Sequence, residues 1–170
     1  MLCVIAKLDS DSKARLLKLQ GEIEKFGIPV KALHGHITLV SYIGEDEAAF
    51  TASCKARLSG CKTFPVYYDK IEVLSSTSIV VASPRKEGML KALQRELAEQ
   101  WAEDLPDYMQ ADVWYPHTTL LYDMQADLEK IAQCLKESFE PFCGEVQAIE
   151  FSRVEKAGYT IADVIELKKE

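Results

Sequence analysis

The chain has no apolar run approaching the length of a membrane span, and its opening stretch, Met1 to Leu8, lacks a basic segment ahead of an apolar one. A spanning helix and a secretory leader are therefore not expected, which points to a soluble, cytoplasmic protein without a membrane partner. Cysteines are few and unpaired in pattern: Cys3, Cys54, Cys61, Cys134 and Cys143 form an odd set with no CxxC. That argues against a disulfide framework and against a thiolate zinc site. Basic residues are also in deficit, 20 Lys and Arg against 27 Asp and Glu, for a formal net charge of −7. Sequence-independent binding of long nucleic acid draws on a basic surface, so no such partner is expected. A local cluster of donors can still hold one or two phosphates, although the overall field slows the approach of anions.

No low-complexity linker interrupts the chain, and 170 residues with 48% hydrophobic content suffice for one domain with a substantial core. Periodicity predicts a strand over Cys3 to Leu8 and an amphipathic helix from Ser10 to Phe26, ended by Gly27 with Pro29 beyond it. A strand from Leu33 to Tyr42, a helix from about Glu45 to Leu58 and strands around Phe64 to Leu74 and Ser78 to Ala82 follow, and Pro84 closes the first half. The order then recurs. A helix from about Lys86 to Glu103 precedes a strand from Val113 to Tyr122, a helix from about Gln125 to Phe139, and strands around Glu145 to Val154 and Thr160 to Leu167 that turn at Gly158. This repeat suggests a duplication into two rigidly joined lobes, approximately 1–84 and 85–170, facing one another across a cleft.

The corresponding strands of the two halves carry the same chemistry. His36-Ile37-Thr38-Leu39 and His117-Thr118-Thr119-Leu120 lie 81 positions apart (117 − 36). Strand alternation places His36 and Thr38 on one face with Ile37 and Leu39 on the other, and pairs His117 with Thr119 likewise. Each strand then offers an imidazole and a hydroxyl side by side. Two positions before each histidine, on the same expected face, stand His34 and Tyr115, rings able to contact a substrate, and Tyr42 is placed on that face farther along.

The paired HxTL tetrads, their spacing and the duplicated order resemble the two-histidine (2H) phosphoesterase superfamily, which includes the 2',5' RNA ligase-like proteins and the cyclic nucleotide phosphodiesterases of RNA processing. The extension Val40-Ser41-Tyr42-Ile43-Gly44 and Pro116 ahead of His117 strengthen the likeness. The resemblance implies an α+β fold, bilobal, with pseudo-twofold duplicated antiparallel sheets, flanking helices and a central cleft. It also implies metal-independent chemistry with no cofactor, carried by His36, Thr38, His117 and Thr119. One departure follows the second tetrad, where Leu121-Tyr122 replace the small-plus-basic pair of ligase-like members.

Opening a cyclic phosphodiester requires a base for the attacking water and an acid for the departing sugar oxygen, and histidine suits both roles. The sequence leaves open which of His36 and His117 takes which role, and assigns Thr38 and Thr119 to the non-bridging phosphate oxygens. The expected activity is hydrolysis of a cyclic phosphodiester, a 2',3'-cyclic nucleotide or RNA end, or of a 2',5' linkage. The expected partner is thus a small nucleotide or an oligonucleotide end. A nucleotide-binding module of the same fold with little turnover is the alternative. A zinc site built on His34, His36 and His117 is a third reading, which leaves the threonines unexplained. Arg85 and Arg153 stand near strand ends, within reach of either a phosphate or neighbouring carboxylates.

Overall fold

A computed structural model describes residues 1–29, 35–156 and 158–169. Seven strands and four α-helices alternate in the order β1 (Leu2–Leu8), α1 (Ser10–Ile23), β2 (His36–Tyr42), α2 (Glu47–Leu58), β3 (Phe64–Val73), β4 (Ile79–Pro84), α3 (Met89–Ala98), β5 (Thr118–Tyr122), α4 (Leu128–Ser138), β6 (Phe142–Glu155) and β7 (Gly158–Glu166). No helix among the described residues is long and apolar enough to cross a membrane.

Local chemistry sets the helix ends. Asp9, Asp46 and Asp127 cap α1, α2 and α4, each side chain accepting from a backbone N–H three residues on. Asp9 does more: both Ser12 Oγ and the Glu145 backbone N–H donate to its second oxygen, at 2.6 and 2.7 Å, tying the start of α1 to β6. The helix expected from Ser10 to Phe26 is α1 followed by a 3₁₀ turn, Glu24–Phe26, which stops at Gly27 with φ of 74°. The helix expected from Lys86 begins only at Met89 and relaxes into a 3₁₀ segment over Glu99–Asp104. The strand expected from Val113 begins only at Thr118, because Pro116 has no N–H for a ladder and the Trp114 N–H turns back to the Gln110 carbonyl at 2.8 Å.

The strands form one antiparallel sheet rather than two, in the order β2-β1-β6-β3-β4-β5, with β7 also on β6. The 14-residue β6 is the reason. Its first residues pair with β3, Phe142 opposite Tyr68, while its later ones lie between β1 and β7. The spatial halves are therefore β2-β1-β6-β7 and β5-β4-β3 with the start of β6, and the division expected at residues 84 and 85 is not the spatial one. β1 is buried along nearly its whole length and needs a strand on each side, which the distant β6 supplies.

Both motif strands carry the same irregularity. Val4 faces Val40 and Ile5 faces Thr38, leaving Leu39 as an extra residue; Val80 faces Leu121 and Val81 faces Thr119, leaving Leu120 as an extra residue. The leucine that ends each tetrad is thus a β-bulge, and both leucines are fully buried. In β5 the Leu120 carbonyl accepts from Gln20 of α1 at 3.3 Å. The helices cross over between halves: α1 packs on β5, and α3, which precedes β5, packs on β2. Core residues Val4, Ala6, Ile37, Leu39 and Leu120 meet Leu16, Ile23, Leu93 and Leu97 from these helices. The other side of the strands is left for the site.

Candidate active site

In the first half, His36 and Thr38 are half-buried on the face opposite the core, and Ile37 and Leu39 are inside it. Register places Lys7 beside His36, and Ile5 beside Thr38 with Glu150 beyond. The Lys7 ammonium meets Glu150 Oε2 at 2.8 Å and Ser152 donates to Oε1 at 2.6 Å. Burial pushes the Glu150 carboxyl up, but the bonds from Lys7 and Ser152 and the charges of Lys7 and His36 outweigh it and leave the group below the usual carboxylate range. A fixed carboxylate and a fixed ammonium thus flank His36.

The second half repeats the row. Thr119 faces Val81, and Glu72 lies beyond it on β3, just as Thr38, Ile5 and Glu150 succeed one another in the first half. The partners differ. The Tyr115 phenol donates to Glu72 Oε1, and the Lys86 ammonium sits over the Tyr115 ring, 4.2 Å from its centroid. Burial, then the bond to Glu72, pushes the Tyr115 phenol up to about 12. His117 Nδ1 lies 2.9 Å from the Tyr115 carbonyl. A carbonyl only accepts, so Nδ1 carries the proton, and in the neutral ring Nε2 holds the lone pair. Glu72 holds Tyr115, and Tyr115 sets the tautomer of His117.

The two motif strands stand at opposite ends of the strand order, yet the sheet curls until they touch. Thr118 Oγ1 donates to the His36 carbonyl at 2.9 Å and the Trp114 indole donates to the Thr38 carbonyl at 3.1 Å. Because the single Thr118 proton is used on His36, the buried Tyr68 phenol, 2.6 Å away, must donate to Thr118. A cavity of about 780 Å³ opens beside His36 and Thr38 and runs over Ile5, Glu150 and Ser152 to the β6–β7 hairpin. Of the four tetrad side chains, His36 and Thr38 are the ones that line this cavity, together with the Lys7–Glu150 ion pair.

The family model of the 2'-5' RNA ligase superfamily matches residues 9–158. The chain belongs to that superfamily. E. coli LigT complexed with ATP has a TM-score of 0.65 to it at 18% identity, covering 98% of this chain and 97% of that one. E. coli LigT complexed with 3'-AMP gives 0.60 at 18%, covering 98% and 96%, and a phosphoesterase gives 0.60 at 18%, covering 98% and 97%. At these identities the likeness establishes the fold, that of the LigT-like two-histidine phosphoesterases. No curated protein matches.

In this superfamily member the remaining sequence candidates fall in different places. Tyr42 is not on the face of His36: the bulge at Leu39 reverses the alternation, so Ser41 takes that face and Tyr42 enters the core, stacked on Phe50 at 4.3 Å and edge-on to Trp101 at 5.6 Å. Tyr115 stands outside the strand, its phenol and ring engaged by Glu72 and Lys86. His34 lies outside the described residues, and with it part of the proposed zinc triad; no metal-holding group of three or more His, Cys, Asp or Glu occurs among the described residues. Arg85 pairs with Asp69 at 3.1 Å over the Tyr67 ring, and Arg153 pairs with Glu47 at 2.5 Å. Glu150, Lys7 and Glu72 escaped sequence reasoning, although a lone charge within Ile149-Glu150-Phe151 or Ala6-Lys7-Leu8 is the available signal.

Proposed function

We propose that this 2'-5' RNA ligase superfamily protein is a metal-independent phosphodiesterase that opens a cyclic phosphodiester, a 2',3'-cyclic nucleotide or the cyclic end of an oligonucleotide, or cleaves a 2',5' linkage. The observation that supports the reading is the lateral contact of the two motif strands through Thr118 and the His36 carbonyl, which sets the strands that bear the two His-x-Thr units side by side.

In the proposed reaction a water oxygen attacks phosphorus and passes its proton to His117 Nε2, the nitrogen that the Tyr115 carbonyl leaves with a lone pair. As the bond from phosphorus to the departing sugar oxygen breaks, His36 gives that oxygen a proton. The Glu150 carboxylate, which feels the charge of His36, supports an imidazolium there. Thr38 and Thr119 donate to the non-bridging oxygens as charge builds on them. Exchange with solvent resets both rings. The product is a phosphate monoester. With Arg85 and Arg153 both ion-paired and a net charge of −7, the reading favours a small nucleotide or a chain end over long nucleic acid.

The test is hydrolysis of nucleoside 2',3'-cyclic monophosphates and 2',5'-linked dinucleotides in excess chelator, with His36→Ala and His117→Ala alongside. Turnover that survives chelation and falls by about 10² to 10⁴ in each variant supports the reading. Loss of turnover on chelation overturns it, and nucleotide binding with no turnover would identify a binding module instead.

A further inference from the structure

The cations near the motif strands are mostly engaged. Glu150 holds Lys7 at 2.8 Å, Asp69 holds Arg85, Glu47 holds Arg153, and the Lys86 ammonium lies over the Tyr115 ring. β5 supplies no cation of its own, since Leu120, Leu121 and Tyr122 follow Thr119. Lys13 of α1 is different. It lines the cavity together with Gly35, His36 and Thr38 and is half-buried, yet it belongs to none of the ion pairs among the described residues.

Its place is fixed from two sides. The Asp9 carboxylate accepts from the N–H groups of Ser12 and Glu145, and the Asp9 carbonyl accepts from the Lys13 N–H at 3.1 Å, so the start of α1 is tied to β6. Gly35, with φ of 49°, lies against the lysine stem: a methyl group there would stand 3.6 Å from Lys13 Cγ and 3.7 Å from its Cα. The stem thus passes beside the residue that precedes His36, and the side chain meets the cavity at its histidine end. Helix stability does not account for the charge. At the fourth residue of α1 a cation stands near the positive end of the helix dipole, where Asp or Glu is favoured, and partial burial of an ammonium without a counter-charge is unfavourable. In a chain with 27 Asp and Glu against 20 Lys and Arg, a half-buried lysine that pairs with none of them breaks a local rule in the manner of a functional position.

Resting on the phosphodiesterase reading, we propose that Lys13 is the cationic contact for the substrate's phosphate: its ammonium donates to a non-bridging oxygen of the phosphodiester seated at His36 and Thr38. A lysine serves there as a point charge and forms a charge-assisted hydrogen bond, stronger than the neutral hydroxyl of Thr38 can make. Lys7 is not available for the same contact while Glu150 holds it. A single local cation also reconciles an anionic substrate with a net charge of −7, because recognition then does not depend on the field of the whole protein.

The test compares the affinities of adenosine 3'-monophosphate and adenosine by calorimetry in the wild type, Lys13→Gln, Lys13→Arg and Lys18→Gln, with circular dichroism confirming the fold of each. Lys18 lies on the same helix but lines a separate groove with Phe139 and Phe142, so Lys18→Gln makes the same change of net charge away from the cavity. The expected result is a wild-type preference for the nucleotide that falls about tenfold in Lys13→Gln, largely returns in Lys13→Arg and is unchanged in Lys18→Gln. A wild type that binds the two alike, a preference that Lys13→Gln leaves intact, or an equal loss in Lys18→Gln overturns the contact. Hydrolysis assays with nucleoside 2',3'-cyclic monophosphates separate the two ideas. A phosphate preference that depends on Lys13 without any hydrolysis would sink the phosphodiesterase reading and keep the contact, whereas hydrolysis with kcat/KM unchanged in Lys13→Gln would do the reverse.

Discussion

The hydroxyl of Thr118 donates to the backbone carbonyl of His36 at 2.9 Å, joining the second tetrad of the chain to the first. Thr118 is the one tetrad residue whose side chain faces the core while its bond reaches across to the neighbouring motif strand. Behind it the buried Tyr68 phenol completes a relay of three groups, each donating to the next. The relative placement of the two motif strands thus depends on a side chain that is itself buried.

Thr118→Val keeps the shape and removes both bonds, stranding the Tyr68 phenol. The expected cost is about 1–3 kcal/mol, read from urea unfolding midpoints, with a fall in kcat; Thr118→Ser should recover most of both. Unchanged stability and turnover in the valine variant would show that the relay is unimportant.

Tyr115→Phe breaks the link to Glu72 but leaves the carbonyl that faces His117. Turnover should fall several-fold at little cost in stability, and the ¹⁵N shifts of the His117 ring should move toward a mixture of tautomers. Glu72→Gln, which still accepts from the phenol, should be milder. A kcat loss with an unmoved His117 spectrum would refute the positioning argument.

Tyr42 distinguishes a substrate contact from a core residue. Tyr42→Phe should leave KM unchanged, while Tyr42→Ala should lose about 3–5 kcal/mol of stability. A KM increase in the phenylalanine variant would restore the residue to the site.

Asp9 gives stability a defined pH dependence. Burial raises its carboxyl, but the bonds from the Ser12 hydroxyl and from the Ser12, Glu145 and Asp11 N–H groups overcome that and hold it below the usual carboxylate range. A depressed carboxyl contributes stability that is fully present above its unfolded value, about 3.9, and is lost as pH falls through the folded value. Asp9→Ala should therefore destabilise by about 1 kcal/mol at pH 7, and the gap from the wild type should narrow in acid. Urea midpoints at pH 7 and pH 3 measure it; a gap independent of pH would contradict the assignment.

The elements and the tetrads were legible because their signals are local. Alternation predicts that His36 and Thr38 share a face, as β2 has them, both half-buried beside the buried Ile37 and Leu39, and Gly27 marks the end of the first helical stretch. The bulges were not legible, since nothing in Thr38-Leu39-Val40 announces an extra residue until β1 lies alongside, and from that point the expected face of Tyr42 was reversed. The sheet order was hidden for a related reason. β6 reads as one more amphipathic strand, and its double membership depends on pairing with β1 and β3, far away in the chain. Glu150 belongs to the site only through that pairing, so its role emerges with the topology.

That shared strand has a consequence for how the chain can be divided. A cut after Pro84 would give one piece with β1 to β4 and another with β5 to β7, and neither holds a full set of neighbours: β1 and β3 would lose β6, and β4 would lose β5. Each piece alone should remain unstructured and inactive, and the two mixed together should recover activity by complementation. The two halves of the sequence are thus expected to fold only together.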